Sequence, residues 1–259
     1  MHVTVHSEAN SPTALKAAPL PQAWVYAPPA ALPTLVHLDE HLLVVNKPPG
    51  LLSVPGRLPE HHDSALQRLQ GLYGPLWVVH RLDMDTSGLI AFARSRETAA
   101  HLGRQFEQRR VYKVYEALVW GHPPSNHGVI ALPLRLDWPH RPRQLVDAQS
   151  GKPSVTVYAQ ADHPEPQGNG MSRQPPCSWL GSSPPHGTSR LRLTPTTGRS
   201  HQLRVHLSAI GLPVLGDRFY GRPEHEEPEV QRLMLHASVL ELQHPTVKQQ
   251  LRLVAAAGF

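Results

Sequence analysis

Short apolar runs, bounded by proline, glycine and charged turns, dominate the chain. Thr34-Leu-Val-His-Leu-Asp39 and His41-Leu-Leu-Val-Val-Asn46 read as two strands about a turn at Asp39-Glu40. Lys47-Pro48-Pro49-Gly50 ends the second, because proline cannot continue a central strand. Leu76 to Val79 and Leu89 to Phe92 have the length of buried strands. Val111 to Gly121 alternates as a long strand, with Lys113, Tyr115 and Ala117 on one side and Val114, Glu116 and Leu118 on the other. Gly128 to Asp137, Gly151 to Tyr158, Leu191 to Thr194 and Gln250 to Ala255 predict four more strands. Helical spacing is rarer. Asp63 to Leu72 places Ala65, Leu66, Leu69 and Leu72 on one face behind Asp63 or Ser64 as cap. Ser95 caps a helix with Ala99, Leu102 and Phe106 in a stripe. A third runs from the Thr197 segment to Gly211, burying Leu203, Leu207 and Ile210. The pattern is a strand-rich mixture with a few helices.

Between Leu76–Val79 and Leu89–Phe92 lies a polar cluster: His80, Arg81, Asp83, Asp85, Thr86 and Ser87. Two core strands then frame it. Catalytic groups are commonly held on such a frame, and a plain polar hairpin turn fits the pattern as well.

Composition narrows the class. With 259 residues, 40% apolar and 17% charged, the chain can bury a sizeable core. No apolar run reaches the ~20 residues of a membrane span, and Met1 to Asn10 lacks the basic and apolar regions of a signal peptide. Cys177 is the only cysteine, which excludes an internal disulfide and a multi-cysteine metal site. A cytoplasmic setting is expected. The net charge of +5 is compatible with a nucleic-acid partner. Residues 1–33 form a Pro-rich extension ahead of a single domain over 34–259. Residues 162–189, rich in Pro, Gly and Ser, read as an insertion within it.

His80-Arg81-Leu82-Asp83-Met84-Asp85-Thr86-Ser87-Gly88 resembles the His-Arg-Leu-Asp-x-x-Thr-Ser-Gly signature of the RluA-type pseudouridine synthases. Asn46-Lys47-Pro48-Pro49-Gly50 is similar to the family's first motif, where Lys47 would support the active-site frame. Lys113-Val114-Tyr115 matches its Lys-x-Tyr motif, Thr197 to His206 its Thr-Gly-Arg-x-His-Gln-Leu-Arg-x-His motif, and Arg232 to Ala237 its last motif. Asp137 to Gln144, an Asp-Trp-Pro-x-Arg-Pro-x-Gln segment, resembles the dual-specificity subgroup in particular, and the N-terminal extension shows no pattern of the S4 module many relatives carry.

The resemblance implies the α+β pseudouridine-synthase fold: a mixed, largely antiparallel sheet with flanking helices and an RNA-binding cleft. It implies catalysis by Asp83, with Arg204 pairing to it and Tyr115 against the uracil ring. Leu235 would lie beneath the base. His80 and Arg81 would enter the space left by an extruded uridine, with Arg81 as the wedge, and Arg199 and His201 would contact substrate. No cofactor and no metal are implied. The expected partner is RNA, as an rRNA or tRNA stem-loop, with uridine 746 of large-subunit rRNA and uridine 32 of tRNA as targets. No membrane is involved, and a monomer is the default. The alternatives are another RluA-like synthase with a different target, a non-catalytic RNA-binding protein, and a glycoside hydrolase using Asp83 and Asp85. A protein kinase is disfavoured, since neither a Gly-rich loop nor Asp-Phe-Gly is present.

Overall fold

The structure, a computed structural model, describes residues 25–161, 187–221 and 230–259. The start of the extension, residues 162–186 of the insertion and the acidic stretch 222–229 lie outside the described residues. In chain order come β1 (Thr34–Leu38), β2 (Leu42–Lys47), α1 (Ala65–Tyr73), β3 (Trp77–Val78), β4 (Ser87–Ala93), α2 (Arg96–Glu107) and β5 (Tyr112–Trp120). Then follow β6 (His127–Ala131), β7 (Leu134–Leu136), β8 (Gln144–Val146), β9 (Val155–Gln160), β10 (Thr188–Pro195), α3 (Gln202–Ala209), β11 (Leu235–Gln243) and β12 (Gln250–Val254). The sheet pairing is mixed, so the fold is α+β as expected.

Two compact units divide the chain. The Asp83 unit runs to Tyr115 and resumes at Leu235–Ala257; the Arg204 unit holds Glu116–Met234 with Gly258–Phe259.

In the Asp83 unit the strand order is β1-β2-β4-β11, with β3 on β4 and β12 on β11. The turn between β1 and β2 is set by Asp39, whose Oδ1 accepts the His41 and Leu42 N–H groups at 2.7 and 2.8 Å. Alternate residues of β2 and β4 enter two cores. Leu42, Val44, Leu89 and Ala91 pack with Leu102 of α2, Leu240 and Leu242. Leu43, Val45, Ile90 and Phe92 pack with Ala65 and Leu69 of α1, Leu51 and Leu82. Burial on both faces explains why these strands read as unbroken apolar runs.

Both helices carry the caps expected. Ser64 Oγ accepts the Gln67 N–H, and Ser95 Oγ accepts the Thr98 N–H. Leu72, expected on the buried face of α1, is exposed. Tyr26, within the predicted extension, is docked: its hydroxyl accepts the Leu52 N–H at 3.0 Å and donates to Asp63 O at 2.8 Å.

In the Arg204 unit, β5 is followed by β10, β9 and β6, and β7 pairs with β8 separately. The strand predicted over 128–137 divides into β6 and β7. Pro133 is the reason: it has no N–H to give the ladder and restricts Leu132 before it. The insertion also ends earlier than predicted, since Thr188 and Ser189 open β10. The strand β11 has no counterpart in the apolar pattern.

Gly88 marks the closest approach of β4 to β11. Its φ is +111°, and a Cβ there would lie 2.4 Å from the backbone N and O of Ala237. Gly88→Ala is expected to cost at least ~2 kcal/mol of stability, since both strain and overlap are with backbone. Urea unfolding of the variant against wild type measures it.

Candidate active site

The segment from His80 to Gly88 is held from several sides, each inside the Asp83 unit. Lys47 closes β2 with its side chain fully buried at 0% exposure. Its Nζ donates to Pro48 O at 2.9 Å, Leu51 O at 2.8 Å and Met84 O at 2.9 Å, one acceptor for each proton. Ser53 Oγ donates to Leu82 O at 2.7 Å and accepts the Leu82 N–H at 3.1 Å. The residues on either side of Asp83 are therefore fixed, Leu82 by Ser53 and Met84 by Lys47. Leu51–Ser53 is itself anchored, because Leu52 O and Ser53 O accept the first N–H groups of α1. Asp83 O accepts the Thr86 N–H at 3.2 Å, closing a turn, and the Asp83 side chain is half-buried.

The last motif meets the end of this segment. Ser87 Oγ lies 2.8 Å from His236 Nδ1, and His236 Nε2 lies 3.1 Å from Ala255 O. Leu235, buried beside His236, starts β11. Tyr115 packs on the core that contains Leu82 and Ala237. Burial pushes its phenol pKa up, and the Asp83 carboxylate close by pushes it further. Tyr115 is therefore a neutral phenol at physiological pH.

His80 and Arg81, expected to act together on RNA, sit in different surroundings. His80 Nε2 accepts the Ala91 N–H at 2.9 Å, completing the β4 ladder with a side chain. Its ring stacks on Phe106 of α2 at 4.6 Å. Burial, together with the nearby Lys113 charge, lowers the imidazole pKa to about 3. Arg81 is exposed.

The Arg204 unit contributes Arg204, Arg199 and His201. Arg204 is 2% exposed. Its Nε and Nη2 donate to the two Asp217 oxygens, each at 2.7 Å. Asp217 Oδ1 also accepts the Phe219 and Tyr220 N–H groups. Burial alone would raise the Asp217 pKa; the Arg204 charge and these hydrogen bonds outweigh it and hold the carboxyl below its ordinary range. His201 enters α3 in the left-handed region, at φ 52°. Gln202 holds the turn before it: Oε1 accepts Thr197 Oγ1–H at 2.7 Å and the Arg199 N–H at 3.0 Å. Arg199 is half-buried, and its Nε meets no acceptor among the described residues. The Tyr220 hydroxyl accepts the Gln144 N–H at 2.8 Å and lies 2.7 Å from His201 Nδ1.

Asp83, Tyr115, His80, Arg81 and Leu235 thus belong to one unit, and Arg204, Arg199 and His201 to the other. Sequence reasoning missed Ser53, His236 and Asp217. Nothing in the local pattern marks Ser53, whereas His236 stands inside the last matched motif and Asp217 in Pro213-Val-Leu-Gly-Asp217-x-Phe-Tyr-Gly221, a segment that continues the resemblance.

The family model described as RNA pseudouridylate synthase matches residues 41–209, a span that contains the Asp83 loop, Tyr115 and Arg204. The chain belongs to this family and is an enzyme that isomerises uridine to pseudouridine in RNA. Among its relatives, the dual-specificity RNA pseudouridine synthase RluA of Vibrio vulnificus (strain CMCP6) is 48% identical over 221 residues, 85% of this chain and 82% of the relative. The RluA of Escherichia coli (strain K12) is 45% identical over 236 residues, 90% of this chain and 98% of the relative. Human RNA pseudouridylate synthase domain containing 1 is a structural neighbour with TM-score 0.67 and 30% identity, covering 88% of this chain and 86% of that one. Among the described residues no helix is long and apolar enough to cross a membrane.

Lys47→Met should lower stability by about 2–4 kcal/mol, because three carbonyls lose a charged donor in a buried site. The Tm and the rate of pseudouridine formation should fall together. His80 generates a pH prediction. Its pKa is lower folded than unfolded, so its contribution is present above pH 6.5 and is lost as pH falls toward 3. His80→Gln keeps an acceptor for Ala91 but does not titrate. Its unfolding free energy should therefore fall less on going from pH 7 to pH 4, by on the order of 3 kcal/mol.

Proposed function

We propose that this enzyme modifies two RNAs, a tRNA anticodon stem-loop and a hairpin of large-subunit rRNA, and that Asp83 carries the chemistry. The observation that carries the reading is the frame of Asp83: the carboxylate-bearing residue is fixed at both neighbours, by Ser53 and Lys47, with Tyr115 close enough to feel its charge. Preorganisation of this kind is what a reacting group requires. Support for two substrates comes from the dual-specificity relatives and from the Asp137–Gln144 segment.

The reaction breaks the N1–C1′ bond, turns the uracil and rejoins it through C5, with loss of the C5 proton. Asp83 either attacks C1′ or removes the C2′ proton; both need its ionised form. Arg204 belongs to the catalytic set by the match of its motif, and its guanidinium is already oriented by Asp217. Tyr115, kept neutral, stacks on the free uracil; it can accept the C5 proton only if its own proton leaves at the same time. Leu235 supplies the apolar floor. Arg81, exposed on the loop, is the wedge that replaces the extruded uridine, and His80 acts as frame. Arg199 and His201 hold the RNA backbone, by the match of their motif. The enzyme acts in the cytoplasm as a monomer.

With RNA tritiated at uridine C5, wild type should release tritium to water from both stem-loops, and Asp83→Asn should reduce release from both to background. Release from one RNA alone narrows the enzyme to a single substrate. Tight binding of both without release from either leaves only a binding protein.

A further inference from the structure

The hairpin of β7 and β8 carries a feature that the chemistry at Asp83 does not use. At its tip Trp138 is 64% exposed, the most exposed tryptophan among the described residues. The Arg141 guanidinium lies over the indole, 4.7 Å from the ring centroid, and Arg141 is itself exposed. The tip is rigid. His140 N–H donates to Asp137 O at 3.1 Å, Arg143 N–H to His140 O at 3.0 Å and Asp137 N–H to Arg143 O at 2.9 Å. His140 Nδ1 is 3.0 Å from Asp137 Oδ2. Behind the tip, Arg143 is buried, its guanidinium 5.9 Å from the Phe219 ring. The Gln144 N–H reaches the Tyr220 hydroxyl that also meets His201.

We propose that Trp138 and Arg141 form a nucleobase-stacking site for an unpaired base of the substrate RNA, distinct from the target uridine. The open face of the indole takes the base, and Arg141 serves the adjoining phosphate. Aromatic faces stack on any base, and guanidinium–aromatic pairs recur on single-stranded nucleic acid. The positive charge of the pair and of the whole chain, +5, suits RNA over a neutral protein partner. Loop bases of a stem-loop are splayed and available for such contact. The site deepens the proposed dual specificity and rests on it: a sequence-tolerant stack lets two different loops use one enzyme.

The test measures affinity of the full chain for the anticodon stem-loop and the ribosomal hairpin, separately from tritium release. Trp138→Ala should weaken binding of both roughly ten-fold, with the loss falling on KM, and Trp138→Phe should restore most of it. Arg141→Ala should reduce the slope of log affinity against log salt by about one, whereas Trp138→Ala leaves that slope as it is. A Tm close to wild type for each variant shows that the fold is kept. Unchanged affinity of Trp138→Ala for both RNAs overturns the stacking site, whatever the tritium shows. If wild type releases tritium from only one RNA while the affinity loss persists for both, the substrate reading fails and the stacking site stands.

Discussion

The ammonium of Lys47 is the constraint on which the active loop depends. It is fully buried and donates to three backbone carbonyls, those of Pro48, Leu51 and Met84. Burying an ammonium costs several kcal/mol unless its protons are matched. Matching requires Leu51 and Met84, far apart in sequence, to aim their carbonyls at one point. The charge therefore fixes the backbone rather than a single side chain. Once Met84 is fixed, Asp83 has little freedom, and Ser53 removes what remains on its other side through Leu82. The bonds that keep Lys47 buried are thus the bonds that fix the backbone beside Asp83.

The same economy governs His80. The stretch of β4 between its contacts with β11 and β3 has an N–H, that of Ala91, which finds its acceptor in an imidazole. An unpaired N–H in a core strand is costly, so His80 must stay neutral. The first residue of the signature is thereby assigned to the sheet, and the next one, Arg81, to solvent.

Legibility in the sequence followed the locality of the partner. Strands β2 and β4 were readable because both faces are apolar. The caps at Ser64 and Ser95 were readable because each serves an N–H three residues on. Strand β11 was not. Its polar residues His236 and Ser238 interrupt the apolar pattern and are buried against Ser87, Ala255 and Val114, none near in sequence. Arg204 would be read from spacing as a solvated helix residue, and its burial is made possible by Asp217 in the following loop. The matched motifs supplied these residues as names; Ser53, outside the motifs, had no signal at all.

Arg204 and Asp217 show why such a pair is worth burying. An arginine free to rotate would lose side-chain entropy each time it met an anion, by up to about 2 kcal/mol. Bidentate pairing through Nε and Nη2 fixes the guanidinium plane in advance, and the Phe219 and Tyr220 N–H groups fix the carboxylate in turn. The cost of ordering is met during folding, inside the Arg204 unit, before any RNA is present. Asp217 also remains ionised against its burial, so the pair is neutral overall and brings no uncompensated charge into the core. A lysine could not replace Arg204, because one ammonium cannot hold both oxygens in a fixed plane and still define a direction for the group it serves.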